Sequence, residues 1–72
     1  MENKPKIIER ERVYIYRNEF GPGVVTSTFM NVVKVEVKSN GTHEVTTSDG
    51  VSHYVHNDFI NIQAIPAKEE EK

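Results

Sequence analysis

The sequence predicts an all-β domain, a small barrel of five or six antiparallel strands. Apolar and polar residues alternate with a period of two, most clearly in residues 33–38, where valine alternates with lysine or glutamate. Turn signals separate such segments at short intervals, and no stretch of ten residues has the helical period of 3.6. In a chain of 72 residues, closing these strands into a barrel protects the edges that a flat sheet would expose.

The predicted elements follow one another in a simple order. After a flexible lead-in over residues 1–9, strands are predicted at 12–17, 24–29, 33–37, 43–47, 51–56 and 60–65. The breaks between them are a loop at 18–23, a short break at Met30-Asn31, and turns at Ser39-Asn40-Gly41, Ser48-Asp49-Gly50 and Asn57-Asp58, the last as one helical or 3₁₀ turn. One barrel domain is therefore expected over residues 10–66, followed by an acidic, disordered tail over residues 67–72.

Alternation also predicts which side chains form the core. The expected core residues are Val13, Ile15, Val25, Val33, Val35, Val37, Val45, Val55, Phe59 and Ile62. In this register Tyr14 and Tyr16 point away from the core on one face of the first strand, with Arg12 and Arg17 beside them.

The loop Phe20-Gly21-Pro22-Gly23-Val24-Val25 carries the most specific local signal. Proline restricts φ and glycine tolerates positive φ, so we expect positive φ at Gly21 or Gly23. The loop leads into a strand rather than a helix, which excludes a phosphate-binding loop at a helix N-terminus.

These residues resemble a known group of folds. Arg12-Val13-Tyr14-Ile15-Tyr16, the Phe20–Val25 turn and the valine-rich strands resemble SH3-like barrels of the Tudor and KOW kind. More narrowly, they are similar to the C-terminal Tudor-like domain of UvrD/PcrA helicases and to the RNA polymerase-interacting domain of CarD-type regulators. The resemblance covers residues 12–65, includes the closing segment Tyr54–Ile62, and implies a non-catalytic docking module with RNA polymerase, and sometimes DNA, as partner.

Catalytic and metal chemistry find little support in the sequence. His43, His53 and His56, with Asp58, are potential metal ligands, but their spacing is not that of a zinc motif, and we expect surface histidines without metal or cofactor. Ser48, Ser52, His53 and Asp49 lie close in sequence, yet Ser48 and Asp49 are typical turn residues. A small barrel filled by side chains also leaves no pocket for a substrate, so we expect no enzyme activity.

Binding is therefore the expected function. Exposed tyrosines flanked by arginines suit a protein interface or stacking on single-stranded nucleic acid, although cross-strand pairing within the sheet explains them as well. The candidate binding residues are Arg12, Tyr14, Tyr16, Arg17, Phe20, Pro22 and Tyr54. Docking is expected through the tyrosine face or by pairing of an exposed strand edge.

The composition narrows the class of partner. The net charge of −2 lowers the expectation of nonspecific nucleic-acid binding. The expected function is docking onto a protein of the transcription or nucleic-acid machinery, with direct nucleic-acid binding and an oligomerising structural protein, for instance of a phage, as alternatives. The chain has no cysteine, no apolar run of membrane-spanning length and no apolar segment behind its charged start, so we expect a cytoplasmic protein without a signal peptide.

Overall fold

The protein, described by a computed structural model over residues 6–67, is a single antiparallel sheet of five strands. The strands are β1 (Glu9–Arg17), β2 (Val24–Val37), β3 (His43–Thr47), β4 (Ser52–Val55) and β5 (Asn61–Pro66). Their order across the sheet is β4-β3-β2-β1-β5. The all-β prediction is confirmed, and the number of strands is five.

One long strand, β2, replaces the two strands predicted around Met30-Asn31. Its first half pairs with β1, from Val24 opposite Arg17 to Val32 opposite Glu9, and its second half pairs with β3. Asn31, with φ of 56°, lies where the pairing changes. Asparagine tolerates this left-handed conformation better than most residues, which lets the strand bend here without ending.

The sheet is open, so the predicted closed barrel is not confirmed. β4 and β5 are its two outer strands and do not pair with each other. The radius of gyration is 14.0 Å, whereas a compact domain of this length has about 11 Å. The side chains of Tyr14 on β1 and His43 on β3 lie 2.9 Å apart although β2 separates their strands, so the sheet curls toward the side that carries them, here called the concave side.

The centre of the concave side is Tyr14, which is fully buried. The prediction that Tyr14 and Tyr16 face outward is therefore wrong, because β1 lies one residue out of the expected register. Tyr16 packs against the core, while Val13 and Ile15 are half-buried on the convex side. A curled sheet has a wide concave side, and a tyrosine ring fills that space better than valine or isoleucine.

The rest of the core is partly as predicted. Val45 and Val55 are buried, and Val35, Phe59 and Ile62 pack against them. Val25 and Val37 are exposed, and Val33 is only half-buried. Residues that the prediction missed include buried Val32 and Thr47 and the half-buried ring of Phe29. The register shift between Val32 and Lys34 breaks the simple alternation there, which explains the errors at Val32 and Val33.

The sheet extends further toward the chain ends than predicted. The Ile8 N–H donates to the Val32 carbonyl at 2.8 Å, within the segment expected to be a flexible lead-in. The Ala67 N–H donates to the Ile8 carbonyl at 3.1 Å. The rest of the predicted acidic tail, residues 68–72, lies outside the described residues, as do residues 1–5.

Apart from the break predicted at Met30-Asn31, which lies inside β2, the turns are where the sequence predicts them. Gly23 has φ of 94°, which confirms a positive φ in the Phe20–Val25 loop, and Gly41 and Gly50 have φ of 90° and 87° in the next two turns. Asn57 and Asp58 form a turn without helix. Within residues 6–67 no helix is long and apolar enough to cross a membrane.

Candidate functional site

The predicted tyrosine face is the polar centre of the core. The Arg12 guanidinium joins Glu9 to Tyr14: Nη1 lies 2.7 Å from Glu9 Oε2, and Nε donates to the Tyr14 hydroxyl at 2.8 Å. The Tyr14 hydroxyl lies 2.9 Å from Nδ1 of His43. Because Arg12 can only donate, the Tyr14 O–H can donate to His43 Nδ1 in the tautomer that carries the imidazole proton on Nε2.

Aromatic rings surround Tyr14, which is fully buried. The rings of Phe29, His43 and Phe59 all lie edge-on to Tyr14, with centroids 5.0–6.0 Å away. Burial, and then repulsion by Arg12, holds the pKa of His43 below its ordinary value. Arg12 and Tyr14 therefore stabilise the fold, and neither presents a free surface to a partner.

The three histidines do not converge. His43 and His53 lie on the concave side, where His43 contacts Tyr14 and His53 lies against the Phe29 ring at 4.9 Å. His56 is exposed, with Nδ1 3.5 Å from an Asp58 carboxylate oxygen. Among residues 6–67 no group of three or more His, Cys, Asp or Glu side chains is placed to hold a metal ion.

The polar residues around Asp49 build a turn. The Asp49 carboxylate accepts hydrogen bonds from the Thr47 hydroxyl and the Val51 N–H, and these lower its pKa. His53 Nε2 lies 3.3 Å from the same buried Thr47 hydroxyl. Ser52 contacts Thr46 rather than His53. The arrangement holds the β3–β4 turn against the sheet.

Three of the predicted binding residues lie at the tip of the β1–β2 hairpin. Arg17 ends β1, and Phe20 and Pro22 lie in the loop. The Asn18 side chain fixes the loop, since its Oδ1 accepts the Phe20 N–H and its Nδ2 donates to the Pro22 carbonyl. Phe20 is 98% exposed, so it does not fold back over the sheet.

Tyr54, the last predicted binding residue, lies on the outer strand β4. It is 66% exposed, on the face opposite the core, and its hydroxyl lies 3.4 Å from Glu44. In the β3–β4 ladder, the Thr47 N–H donates to the carbonyl of Val51, the residue opposite it. Hydrogen-bonded and non-hydrogen-bonded pairs alternate along an antiparallel ladder, so the next pair, Thr46 and Ser52, is not hydrogen-bonded. Tyr54, two residues further along β4, is likewise in a non-hydrogen-bonded pair. The N–H and C=O groups of Ser52 and Tyr54 therefore point away from β3, toward the open edge of β4.

The outer edge of β5 is different. The Ile62 N–H is occupied by the Asn61 side chain at 2.9 Å, and Pro66 has no N–H to offer. Both features weaken the edge as a template for another strand. The sequence predicts an exposed strand edge but not which strand provides it, because that depends on the order in which the strands pair.

No protein-family model, no curated protein and no solved structure matches the chain.

Proposed function

We propose that the protein is a non-catalytic binding module that docks onto a protein of the transcription or nucleic-acid machinery, with RNA polymerase as the first candidate. The observation that carries the proposal is the open edge of β4 beside exposed Tyr54. An extended segment of the partner adds to this edge by main-chain hydrogen bonds to Ser52 and Tyr54. The resemblance of residues 12–65 to Tudor/KOW-type SH3-like barrels supports the class of partner.

The charge around β4 defines the chemistry of that segment. Residues 39–67 contain no lysine or arginine, but they contain Asp49 and Asp58, and also Glu44, which is paired with Lys38 at 3.0 Å. Asp49 and Asp58 lie in the turns at the two ends of β4 and are exposed. An extended segment carrying lysine or arginine complements this edge, whereas an acidic one is repelled.

Direct nucleic-acid binding is the weaker alternative. Its sequence argument depended on Tyr14 and Tyr16 as a stacking platform, and stacking needs exposed rings. Tyr14 is fully buried and Arg12 is paired with Glu9. The acidic character of residues 39–67 also repels phosphate groups.

The test is affinity capture with the full chain from a lysate of its source cells, with and without nuclease, followed by binding to purified core RNA polymerase. We expect nuclease-resistant capture of the polymerase. Tyr54→Pro removes the outward N–H while sparing the hydrogen bonds to β3, and should abolish capture. Phe20→Ala, on the distant hairpin tip, is the matched control and should capture as the parent does.

A circular dichroism spectrum of Tyr54→Pro must match the parent for its loss of capture to count. If that variant unfolds, Asp49→Asn with Asp58→Asn tests the same edge through its charge and should weaken capture severalfold. Capture that disappears with nuclease would instead favour nucleic acid. Capture that survives both edge variants would contradict the proposed site.

A further inference from the structure

The first half of β2 has an open edge of its own. β1 lies along one side of Val24–Met30, while β3 pairs with β2 only from Val32 onward. In the part of the chain that the structure describes, no strand pairs with the other side of Val24–Met30. This edge is longer than β4, which has 4 residues.

The backbone groups along this edge alternate in direction. At the end of the β1–β2 ladder, the Asn18 N–H donates to the carbonyl of Gly23, the residue opposite it. Because hydrogen-bonded and non-hydrogen-bonded pairs alternate, the next pair, Arg17 and Val24, is not hydrogen-bonded. By alternation, the N–H and C=O groups of Val24, Thr26 and Thr28 point away from β1. The side chains of all three are exposed, so nothing described in the structure covers them.

The two ends of the edge differ in shape. Beyond Val24 the hairpin tip projects with Phe20, which is 98% exposed. Beyond Thr28 a notch of about 370 Å³ lies between β2 and the β3–β4 turn, lined by Met30, Asp49 and His53 among others. An exposed aromatic side chain and a recess of suitable size therefore lie at opposite ends of one unpaired edge.

We propose that this edge pairs with the same edge of a second copy of the chain, antiparallel, about a two-fold axis at Thr26. Thr26 then lies opposite Thr26 of the second copy, and Val24 lies opposite Thr28 of the second copy. These are the residues whose N–H and C=O groups point outward, so both copies satisfy them together. Cross-strand threonine pairs are among the favourable ones.

The same register brings the two ends of the edge together. Gly23 of one copy lies opposite Phe29 of the other, and the hairpin tip continues from there toward the notch beside Met30. The Phe20 side chain is then buried in the notch of the second copy. The two-fold axis repeats this contact on the other side, so the interface is closed and contains two copies only.

The dimer goes beyond the proposed docking function, and the two share Asp49, which lines the notch and also lies beside the β4 edge. The β4 edge and Tyr54 take no part in it, and the two halves of the ten-stranded assembly each keep that edge free. Tyr54→Pro therefore tests the docking edge and Thr26→Cys tests the dimer, so that either proposal can fail without the other.

Single cysteines test the axis directly, because the chain has no cysteine of its own. In Thr26→Cys, two hydrogen-bonded residues on the axis have Cα atoms about 5.5 Å apart, which suits a disulfide. We expect mild oxidation to convert most of this variant into a covalent dimer. Gln63→Cys is the matched control, since Gln63 is exposed on the same convex face but far from the axis, and it should stay monomeric.

Sedimentation equilibrium of the full chain tests the aromatic contact. We expect a monomer–dimer equilibrium in the parent and at least a tenfold larger dissociation constant in Phe20→Ala. Tyr54→Ala also removes an exposed aromatic side chain, away from the interface, and should dimerise as the parent does. A parent that stays monomeric up to about 1 mM, equal cross-linking of both cysteine variants, or an unchanged Phe20→Ala dimer would overturn the proposal.

Discussion

The Tyr14 hydroxyl and Nδ1 of His43 are 2.9 Å apart, although 29 residues separate them in sequence. Tyr14 belongs to β1 and His43 to β3, with β2 between them in the sheet. Their hydrogen bond therefore spans the concave side and links the β1–β2 ladder to the β2–β3 ladder. A buried polar pair of this kind favours one curvature of the sheet over others only while both partners are satisfied.

Tyr14→Phe keeps the ring and removes this link. Arg12 Nε and His43 Nδ1 then lose their partner in a half-buried site, so we expect a loss of about 1–3 kcal/mol in the free energy of unfolding. Urea denaturation followed by circular dichroism measures it. Tyr54→Phe, which loses a hydroxyl on an exposed ring, should change stability by less than about 0.5 kcal/mol. Equal effects of the two variants would show that the network contributes nothing.

The pKa of His43 predicts how stability depends on pH. Burial and the charge of Arg12 lower it in the folded state, so the unfolded chain takes up a proton first as the pH falls. The contribution is fully present above the ordinary pKa of about 6.5 and is lost as the pH falls from there through the lowered folded pKa. Urea unfolding between pH 7.5 and pH 5 should show this loss.

His43→Gln is the control for that window. It retains a side-chain acceptor for Tyr14 but cannot titrate, so its stability should vary less over the same range. Hydrogen bonds lower the pKa values of Glu44 and Asp49, and their contribution is lost only at more acidic pH. If the stability of His43→Gln depends on pH as steeply as that of the parent, a group other than His43 causes the loss.

Gly23→Val tests the hairpin turn. With φ of 94°, this position strains any residue with a branched Cβ, although no atom lies within 4 Å of the added carbon. We expect a loss of about 1–2 kcal/mol in the free energy of unfolding. Gly21 lies two residues earlier, outside the left-handed region, and an added Cβ there makes only an ordinary contact with Asn18 Nδ2 at 3.8 Å, so Gly21→Val should cost clearly less. Matching thermal melts for the two variants would contradict the turn geometry.

Gly41→Ala and Gly50→Ala separate a steric contact from backbone strain. Both glycines have φ near 90°, but a Cβ on Gly41 meets Asn57 Nδ2 at 2.8 Å, whereas one on Gly50 meets nothing. Asn57 cannot easily move, because Nδ2 donates to the Asn40 carbonyl. Gly41→Ala should therefore be less stable than Gly50→Ala by about 1 kcal/mol or more. Thermal denaturation of the pair measures the difference, and a smaller loss at Gly41 would exclude the contact.

The sequence predicted where strands and turns lie better than which way they face. Alternation separates Val13 and Ile15 from Tyr14 and Tyr16, but it does not say which set is buried, because both are apolar enough for either side. The bend at Asn31 shifts the faces of β2 in the same way, so Val32 is buried although Val33, Val35 and Val37 form the clearest pattern.

The proposed interaction surfaces were harder to predict than the fold. Phe20 and Tyr54 are exposed candidates that local sequence could suggest. The open edges beside them depend on which strands pair, and the notch near Met30 depends on a turn from a distant part of the chain. The open edges and the notch depend on the order of the strands in the sheet, which a period-two sequence pattern does not specify.

The pairing of β1 with β5 has a consequence for how the domain can be combined with others. The hydrogen bond from Ala67 to Ile8 makes the chain enter and leave the sheet at neighbouring points, away from the hairpin tip. A loop of a host protein could therefore accept residues 8–67 as an insertion without its own two ends being forced apart. The inserted domain would point its β1–β2 hairpin away from the host.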